Sequence, residues 1–501
     1  MKNDLSKSKL MAFLQCPRRL YLQVHEREHA ELSGEDDPRI SEGKRVGEVA
    51  RSLHPDGVLV EDESLSGALK TTRALLSGNN PRVLFEPAIE HDGVCVRADM
   101  LVPAKGRFDL IEVKSATAVK EHYYTDVAIQ AFVLERAGLG LRRLTLQHIN
   151  KDFVYPGGGR YHEVKRNGTI NSLFVECDVT KEANSLMRSV SRWARDARKT
   201  LNGKLPPRTS HCADPVPCEF LAHCYPEETK YPISCLPRIK ETEIAALARR
   251  GYQDIRDIPS GVLRNATQEW VRAVTVRGRA DLRSGAREAL SLLPYPRYYF
   301  DFETINFAVP IWKGTRPYQQ IPFQWSCHIE QQSGTTTHEA FLDIAGEDPS
   351  RALAKALLAV LKRRGPILVY NKAFESRVLD DLAVRFPDLS ERLQAVRARL
   401  VDLLPIARKH YYHPAMRGSW SIKAVLPTIG SGLDYGDLCE VQDGGAAQTA
   451  YLESIAGETT RKRKQVLKNA LLEYCKLDTL GMVALARFLE GKRKGDIQGR
   501  T

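Results

Sequence analysis

Long apolar runs are missing from this 501-residue sequence: none approaches the ~18 residues that a membrane-spanning helix requires. The opening Met1-Lys-Asn-Asp-Leu-Ser-Lys-Ser-Lys9 also lacks the apolar segment of a secretory signal, so a cytoplasmic protein with no membrane partner is expected. Internal repeats and long low-complexity segments are missing too. With 43% hydrophobic and 27% charged residues, collagen-like, mucin-like and wholly disordered chains are excluded. Cysteine is sparse: ten in a chain of this length are too few for a disulfide scaffold, and a reducing compartment would keep most of them as thiols. What remains is ordinary globular composition, enough for two to four domains at ~100–200 residues each. Charge is unbalanced. The 74 Lys and Arg against 62 Asp and Glu leave a net +12, which suits a polyanionic partner such as nucleic acid and also serves solubility.

Apolar strand-like runs alternate with amphipathic helical stretches through residues 1–235, the pattern of one α/β domain. Within it Val83–Ile89, Val94–Val102 and Phe108–Lys114 read as successive strands, the last two joined by a Pro103-Ala-Lys-Gly106 turn. A helix is predicted from about Asp126 to Ala137, and another over 181–201. Residues 236–293 turn purely helical, with Glu243–Gly251 and a second helix through Trp270 flanking a short Tyr252–Pro259 connection. This bridge resembles a helix-hairpin-helix unit, and an inert spacer fits the pattern as well. Strand character returns at Arg297–Glu303, so a second α/β domain is expected over 294–492, followed by a frayed tail at 493–501.

Asp99 and Glu112 fall on adjacent predicted strands, and Lys114 follows Glu112 by two positions, so period-two geometry puts Glu112 and Lys114 on one sheet face. Phosphodiester hydrolysis benefits from such a trio. Two carboxylates can hold Mg²⁺, which neutralises phosphate charge and acidifies a bound water, while an ammonium orients that water or stabilises developing charge. Gln130, on the next helix, could add a hydrogen bond to the nucleophile or the substrate. A Glu-Val-Lys strand alone is usually an ordinary half-exposed edge; the upstream Asp and a group of cysteines set this one apart. Cys95, Cys177, Cys235, Cys327, Cys439 and Cys475 are scattered and read as small buried hydrophobes. Cys212, Cys218 and Cys224 instead form an evenly spaced C-x5-C-x5-C, in which prolines prevent one long helix and the thiolates can face a common centre.

Asp99, Glu112-Val-Lys114 and Gln130 resemble the PD-(D/E)XK nuclease core of the RecB type. Cys16 together with Cys212, Cys218 and Cys224 resembles the one-plus-three cysteine arrangement of iron–sulfur nucleases in that family, including those of CRISPR adaptation modules. The resemblance implies a restriction-endonuclease-like fold, metal binding at Asp99 and Glu112, and a 4Fe–4S cluster on the four cysteines. Four thiolates by themselves suit either a cubane cluster or tetrahedral zinc. Cys16 and Cys212 are about 200 residues apart, so a cluster joining them closes a loop worth roughly 5 kcal/mol of unfolded-chain entropy and is expected to act as a structural clamp. Two positions depart from the family. Gly47 stands where many relatives carry a metal-binding His, leaving Glu48 or Glu86 as substitutes, and Leu134 stands where a Tyr is common.

Asp301-Phe-Glu303 ends an apolar strand with both carboxylates on one face and Thr304 closing the run, an unfavourable pairing unless cations compensate it. Pro366–Asn371 reads as a second buried strand, and Lys372-Ala-Phe-Glu375 as a helix start. Leu471–Asp478 is helical, with Tyr474 and Asp478 on one face by i, i+4 spacing. Each piece alone is common. Their order and spacing together resemble the tyrosine-containing branch of the DEDD exonucleases, RNase H-like in fold, as in DnaQ-type proofreading domains. That resemblance implies that Asp301, Glu303, Glu375 and Asp478 bind two Mg²⁺ or Mn²⁺ ions ~3.5–4 Å apart, stabilising attacking and leaving oxygens, while Tyr474 orients the attacking water. Glu375 departs from the usual Asp by one methylene. Arg316, Tyr318, Gln319, Phe323 and Trp325 on a second-strand region, and His410-Tyr-Tyr-His413 ahead of Arg417-Gly-Ser-Trp-Ser-Ile-Lys423, read either as a substrate channel or as core with surface charges. Gly418–Leu426 also resembles the G-S-x-S-I-K stretch of that exonuclease branch.

The two resemblances cover nearly the whole chain outside the bridge and match a bacterial family that fuses a RecB-like iron–sulfur domain to a DnaQ-like domain. They imply a cytoplasmic metal-dependent nuclease acting on single-stranded or end-frayed nucleic acid, DNA favoured over RNA. Its C-terminal site would work 3′ to 5′, in repair, recombination or defence. No G-x-x-x-x-G-K-[ST] occurs, so opening a duplex would need a separate helicase. Three other readings stay open: one centre hydrolyses while the other only binds, the chain is a non-catalytic nucleic-acid scaffold, or it is a ribonuclease.

Overall fold

The computed structural model describes residues 5–492 except 32–37, 79, 165–167, 210 and 226–228; the tail at 493–501 lies outside the described residues. The chain forms two compact units, Met1–Pro226 with Asn306–Gln319, and Glu227–Ile305 with Gln320–Thr501. Both are mixed α/β. The helical bridge falls within the second unit, whereas 306–319 groups with the first. No described helix is long and apolar enough to cross a membrane.

The first unit is built on a six-stranded sheet in the order Phe174–Asp178, Leu141–Ile149, Arg107–Lys114, Met100–Ala104, Leu84–Phe85, Val58–Leu59. Arg107–Lys114 runs antiparallel to Met100–Ala104 and parallel to Leu141–Ile149. A parallel pair needs a crossover, and the Glu121–Arg136 helix supplies it. Val127, Ala128, Ala131 and Leu134 of that helix bury against Leu110, Leu144 and Leu146 of the strands.

Two long strands expected from alternation do not exist as such. Val83–Ile89 and Val94–Val102 each break and pass from this sheet into a smaller one, formed by Leu5–Ser6, Val94–Arg97 and Ala88–His91. The breaks fall opposite one another: Glu86, left-handed at φ +52°, donates its N–H to the Asp99 carbonyl at 3.2 Å. Hydrophobic alternation marks both halves as strand and is silent about a kink between them. The expected four-residue turn is tighter as well. Strand extends to Ala104 and resumes at Arg107, leaving Lys105 and Gly106, both at positive φ as in the turns that match strand twist. The helix predicted from Asp126 begins earlier, at Glu121, and the one over 181–201 spans Thr180–Leu201.

The second unit centres on a five-stranded sheet in the order Thr336–Leu342, Ile321–Glu330, Arg297–Ile305, Ile367–Val369, Leu400–Asp402. Ile321–Glu330 runs antiparallel to both of its neighbours, Thr336–Leu342 and Arg297–Ile305, and the last two strands run parallel to Arg297–Ile305. Alternation along Arg297–Ile305 sends Tyr298, Phe300 and Phe302 into the core made with Ser350–Val360 and Lys372–Arg385. The opposite face meets the long Arg461–Leu489 helix. Thr304 does not end the strand: register shifts between Glu303 and Thr304, and pairing continues to Ile305. Nor is 236–293 purely helical. Asp281–Leu282 pairs antiparallel with Tyr411–Tyr412, and Trp270 donates its indole N–H to Asp281 at 2.6 Å while stacking on Trp420. The bridge is therefore fastened to the sheet domain and is not a loose spacer.

Candidate functional site

In the first unit, Asp99 sits at the strand break and Glu112 and Lys114 on the central strand, with Gln130 one turn after Asp126 on the crossover helix. The structure brings all four together. Lys114 Nζ lies 2.6 Å from Glu112 Oε1, as one-face alternation requires. Gln130 Nε2 donates to Glu112 Oε2 at 2.7 Å, and Asp99 Oδ2 accepts the Val113 N–H at 2.6 Å. Two residues missing from the sequence reading complete the network. Lys7, at the start of the Lys7–Gln15 helix, donates to Glu112 at 3.0 Å, and Asp126 pairs with both Lys7 and Lys114. The Asp126/Gln130 i, i+4 spacing was a visible signal; nothing local could announce Lys7, 105 positions from its partner.

Burial works against both ammoniums, yet Glu112 and Asp126 hold Lys7 and Lys114 above the usual lysine range. Burial also opposes the Asp126 charge, and the two lysines overcome it and hold that carboxyl down. Asp99 goes the other way, pushed well up by burial and by Glu112. Glu86 is likewise raised, mainly by burial. Asp99 and Glu86 line a cleft of about 490 Å³ with Lys114, Arg51, Glu48 and Gly47, whereas both oxygens of Glu112 are engaged by Lys7, Lys114 and Gln130. Asp99 and Glu86 are thus the carboxylates that face the cleft, while the oxygens of Glu112 are taken up by neighbouring side chains.

Cys16, Cys212, Cys218 and Cys224 line one small cavity with Arg18, Arg19, Arg208 and Phe220, although sequence separates Cys16 from the others. Gln15 ties the helix before Cys16 to the cysteine loop through the carbonyls of His211 and Val216, at 2.8 and 2.7 Å. Arg19 pairs with Glu219 at 2.9 Å. Four convergent thiols beside arginines fit an anionic thiolate centre.

In the second unit, Asp301 and Glu303 project from the sheet face opposite Phe300 and Phe302, toward the Arg461–Leu489 helix. That helix contributes Tyr474 and Asp478, and Glu375 comes from the first turn of Lys372–Arg385. These three elements gather four carboxylates, with Glu303, Glu375 and Asp478 buried and Asp301 half-buried. Burial pushes Asp301 well up, reinforced by Asp478, Glu303 and Glu375. Glu303 is raised by burial and Asp478, Glu375 by burial and Asp402 to about 8, and Asp478 by burial to about 6. Glu375 Oε2 is buried with no hydrogen-bond partner. Lys423 is the cation that eases Glu303 and Asp478, its ammonium 4.9 Å from the Tyr435 ring centroid and 5.1 Å from that of Tyr474. Tyr435 donates to Asp478 Oδ1 at 2.5 Å.

Sequence reading missed Tyr435 and took Cys475 for a buried hydrophobe. Cys475 is fully buried, but its sulfur and one oxygen each of Asp301 and Glu303 lie within 4.8 Å of one another. It directly follows Tyr474 on the helix, a signal that only the fold makes meaningful. An orphaned carboxylate oxygen beside three further acids fits Mg²⁺ or Mn²⁺, which take oxygen ligands.

The residues read either as a substrate channel or as core with surface charges divide between the two units. Phe323 and Trp325 are core, Tyr411 and Tyr412 are fully buried, and Arg316, Tyr318 and Gln319 belong to the first unit, where the Tyr318 hydroxyl donates to the Ser115 carbonyl. Arg417, Ser419 and Lys423 keep contact with solvent.

Residues 298–421 match a family model described as a domain of unknown function, DUF2779. That segment carries Asp301, Glu303 and Glu375 but stops short of Tyr474 and Asp478. The chain is similar to an uncharacterized protein MG366 homolog of Mycoplasma pneumoniae, 27% identical over 213 residues, and to an uncharacterized protein MG366 of Mycoplasma genitalium, 24% identical over 213 residues. Each alignment covers 39% of this chain and 32% of the relative, so the chain spans about a third of the length of the curated relatives it matches.

Proposed function

We propose that this chain is a metal-dependent nuclease whose hydrolytic centre is the pocket of Asp301, Glu303, Glu375 and Asp478, an RNase H-like DEDD site. The observation that carries the reading is four carboxylates gathered in one place, Glu303, Glu375 and Asp478 buried and Asp301 half-buried, with Lys423 as the neighbouring ammonium among the described residues. Buried anions without counter-charge are unfavourable by several kcal/mol, which is why burial and mutual repulsion push these carboxyls upward. Mg²⁺ or Mn²⁺ held there would supply Lewis acidity and a more acidic water. The strand order, three antiparallel strands followed by two parallel ones, supports an RNase H-like assignment.

The chain's own groups have definable roles. Tyr435 donates to one oxygen of Asp478, and the Tyr474 side chain hydrogen-bonds the same carboxylate, so the two tyrosines together orient it. Tyr474, kept un-ionised by burial and by Asp478, offers a hydroxyl to position the attacking water. Lys423 offers positive charge to a scissile phosphate. Single-stranded DNA, attacked from its 3′ end, is the favoured substrate.

The first unit supports a PD-(D/E)XK reading through Asp99, Glu112, Lys114 and Gln130, with the four cysteines holding a 4Fe–4S clamp. The engagement of Glu112 by two lysines and a glutamine favours a binding role for this site over hydrolysis. Labelled single-stranded DNA and RNA incubated with Mg²⁺ or Mn²⁺ test both statements. Asp301→Ala is expected to lose at least about 10²-fold in rate, the scale of removing one transition-state stabiliser, while Glu112→Ala keeps most of it. Full activity in the double variant would overturn the reading.

A further inference from the structure

A second, larger groove lies wholly within the second unit. Its volume is about 1,110 Å³, above the ~300–1,000 Å³ usual for small-molecule sites, so it suits a length of polymer. One wall is the bridge, through Leu236, Arg238, Asn265 and Thr267. The other is the sheet domain, through Tyr370 and Asn371, Arg408 and Lys409, and the Arg417–Ile422 loop. Among the described residues, no carboxylate lines it. Arg238, Arg408, Lys409 and Arg417 are exposed, and among the described residues Arg238, Arg408 and Lys409 take no ion-pair partner.

Backbone geometry marks the same place. Seven described non-glycine residues have positive φ, and Arg238, Asn371 and Arg417 of this groove are three of them. Such conformations persist only where surroundings over-determine them and concentrate at functional sites. The two walls also touch. At Gly418 a Cβ would lie 1.7 Å from the Cys235 carbonyl oxygen, so only glycine lets the loop close onto the bridge. Both ends of the sheet-domain wall run into the acidic pocket: Glu375 follows Asn371 by one helical turn, and Lys423 follows Ile422 directly.

We infer that this groove binds the sugar–phosphate backbone of single-stranded nucleic acid, the bridge and the Arg417–Ile422 loop clamping a strand whose end reaches the carboxylates. The placement of that end rests on the nuclease reading; the clamp itself does not. A cationic track, with no acidic residue among its described lining, is the arrangement that follows a phosphate backbone without reading sequence.

The test uses the full-length chain carrying Asp301→Asn to prevent turnover, with fluorescence anisotropy of labelled oligothymidylate across a KCl series. Adding Arg238→Ala, Arg408→Ala and Lys409→Ala should raise Kd at least ~10-fold and flatten log K against log salt by about 2, at ~0.7 per lost single-strand phosphate contact. The Arg238→Lys, Arg408→Lys variant should keep most of the slope, and equal melting temperatures would show that folding is intact. An unchanged Kd and slope, or equally tight binding of polyglutamate by the parent chain, would overturn the clamp. Groove-dependent binding by the Asp301→Asn chain, with no hydrolysis of the same oligonucleotide by the chain that keeps Asp301 in Mg²⁺ or Mn²⁺, would support the clamp and remove the nuclease reading. Hydrolysis with groove-independent binding would do the reverse.

Discussion

Glu375 concentrates the physics of the acidic pocket in one side chain, with one carboxylate oxygen buried and unpartnered and a pKa raised to about 8. A carboxyl raised in the folded state favours folding most at low pH, where both states are protonated. That contribution is lost as pH rises from the unfolded value near ~4 through the folded values, about 6 for Asp478 and about 8 for Glu375. Chelator-treated protein should therefore melt progressively lower between about pH 4 and 8, and Mg²⁺ should restore more stability at pH 8 than at pH 5.5. A melting temperature that rises over that window without metal would contradict this. Glu375→Gln should raise the metal-free melting temperature by a few degrees while removing at least about 10²-fold of activity, the exchange expected where function is purchased with stability. At this scale the sequence disclosed what is repeated or regularly spaced. Glu112 and Lys114 follow from a period of two, and Tyr474 and Asp478 from a helical turn. Lys7 and Cys475 were illegible because their meaning comes from partners that only tertiary structure delivers.

Elements carry their own tests. Gly418 has φ +76° and no room for a side chain, so Gly418→Ala must part the loop from the bridge. A loss of about 1–3 kcal/mol, the range for overpacking, with weakened strand binding is expected from denaturant titration and anisotropy; unchanged values would detach the loop from the clamp. The cysteine loop is held to the N-terminal helices by Gln15, Arg19 and Gln23. Anaerobically prepared protein should be brown with about four irons per chain, and Cys218→Ala should lose both colour and stability. Colourless, zinc-loaded protein of full stability would replace the cluster with a zinc site. Helices and their faces were legible here because periodicity over many residues reports them. The strand breaks at Glu86 and Asp99 were not, since alternation persists through a kink, yet they aim both carboxyls into the cleft.

The chain as a whole is not a simple string of modules. Residues 306–319 return to the first unit directly after the Arg297–Ile305 strand of the second, placing the Tyr318 hydroxyl on Ser115 and the Ala308 N–H on Glu42. A fragment ending at residue 235, where composition suggests a boundary, lacks those contacts and should be cleaved faster by protease than the same region in the intact chain. Equal resistance would show that the returning segment is dispensable. Sequence placed 306–319 in the second domain because continuity along the chain is the default for adjacent strands, and only packing reveals the exception. The central claim is that the second unit assembles a carboxylate pocket completed by divalent cations. Calorimetric titration of the chelator-treated full-length chain with Mn²⁺ tests it most directly, comparing the parent with Asp301→Asn and Glu112→Gln. Saturable binding that is abolished or weakened at least ~10-fold by Asp301→Asn and retained in Glu112→Gln is the expected result; binding indifferent to Asp301→Asn, or none at all, would contradict the account.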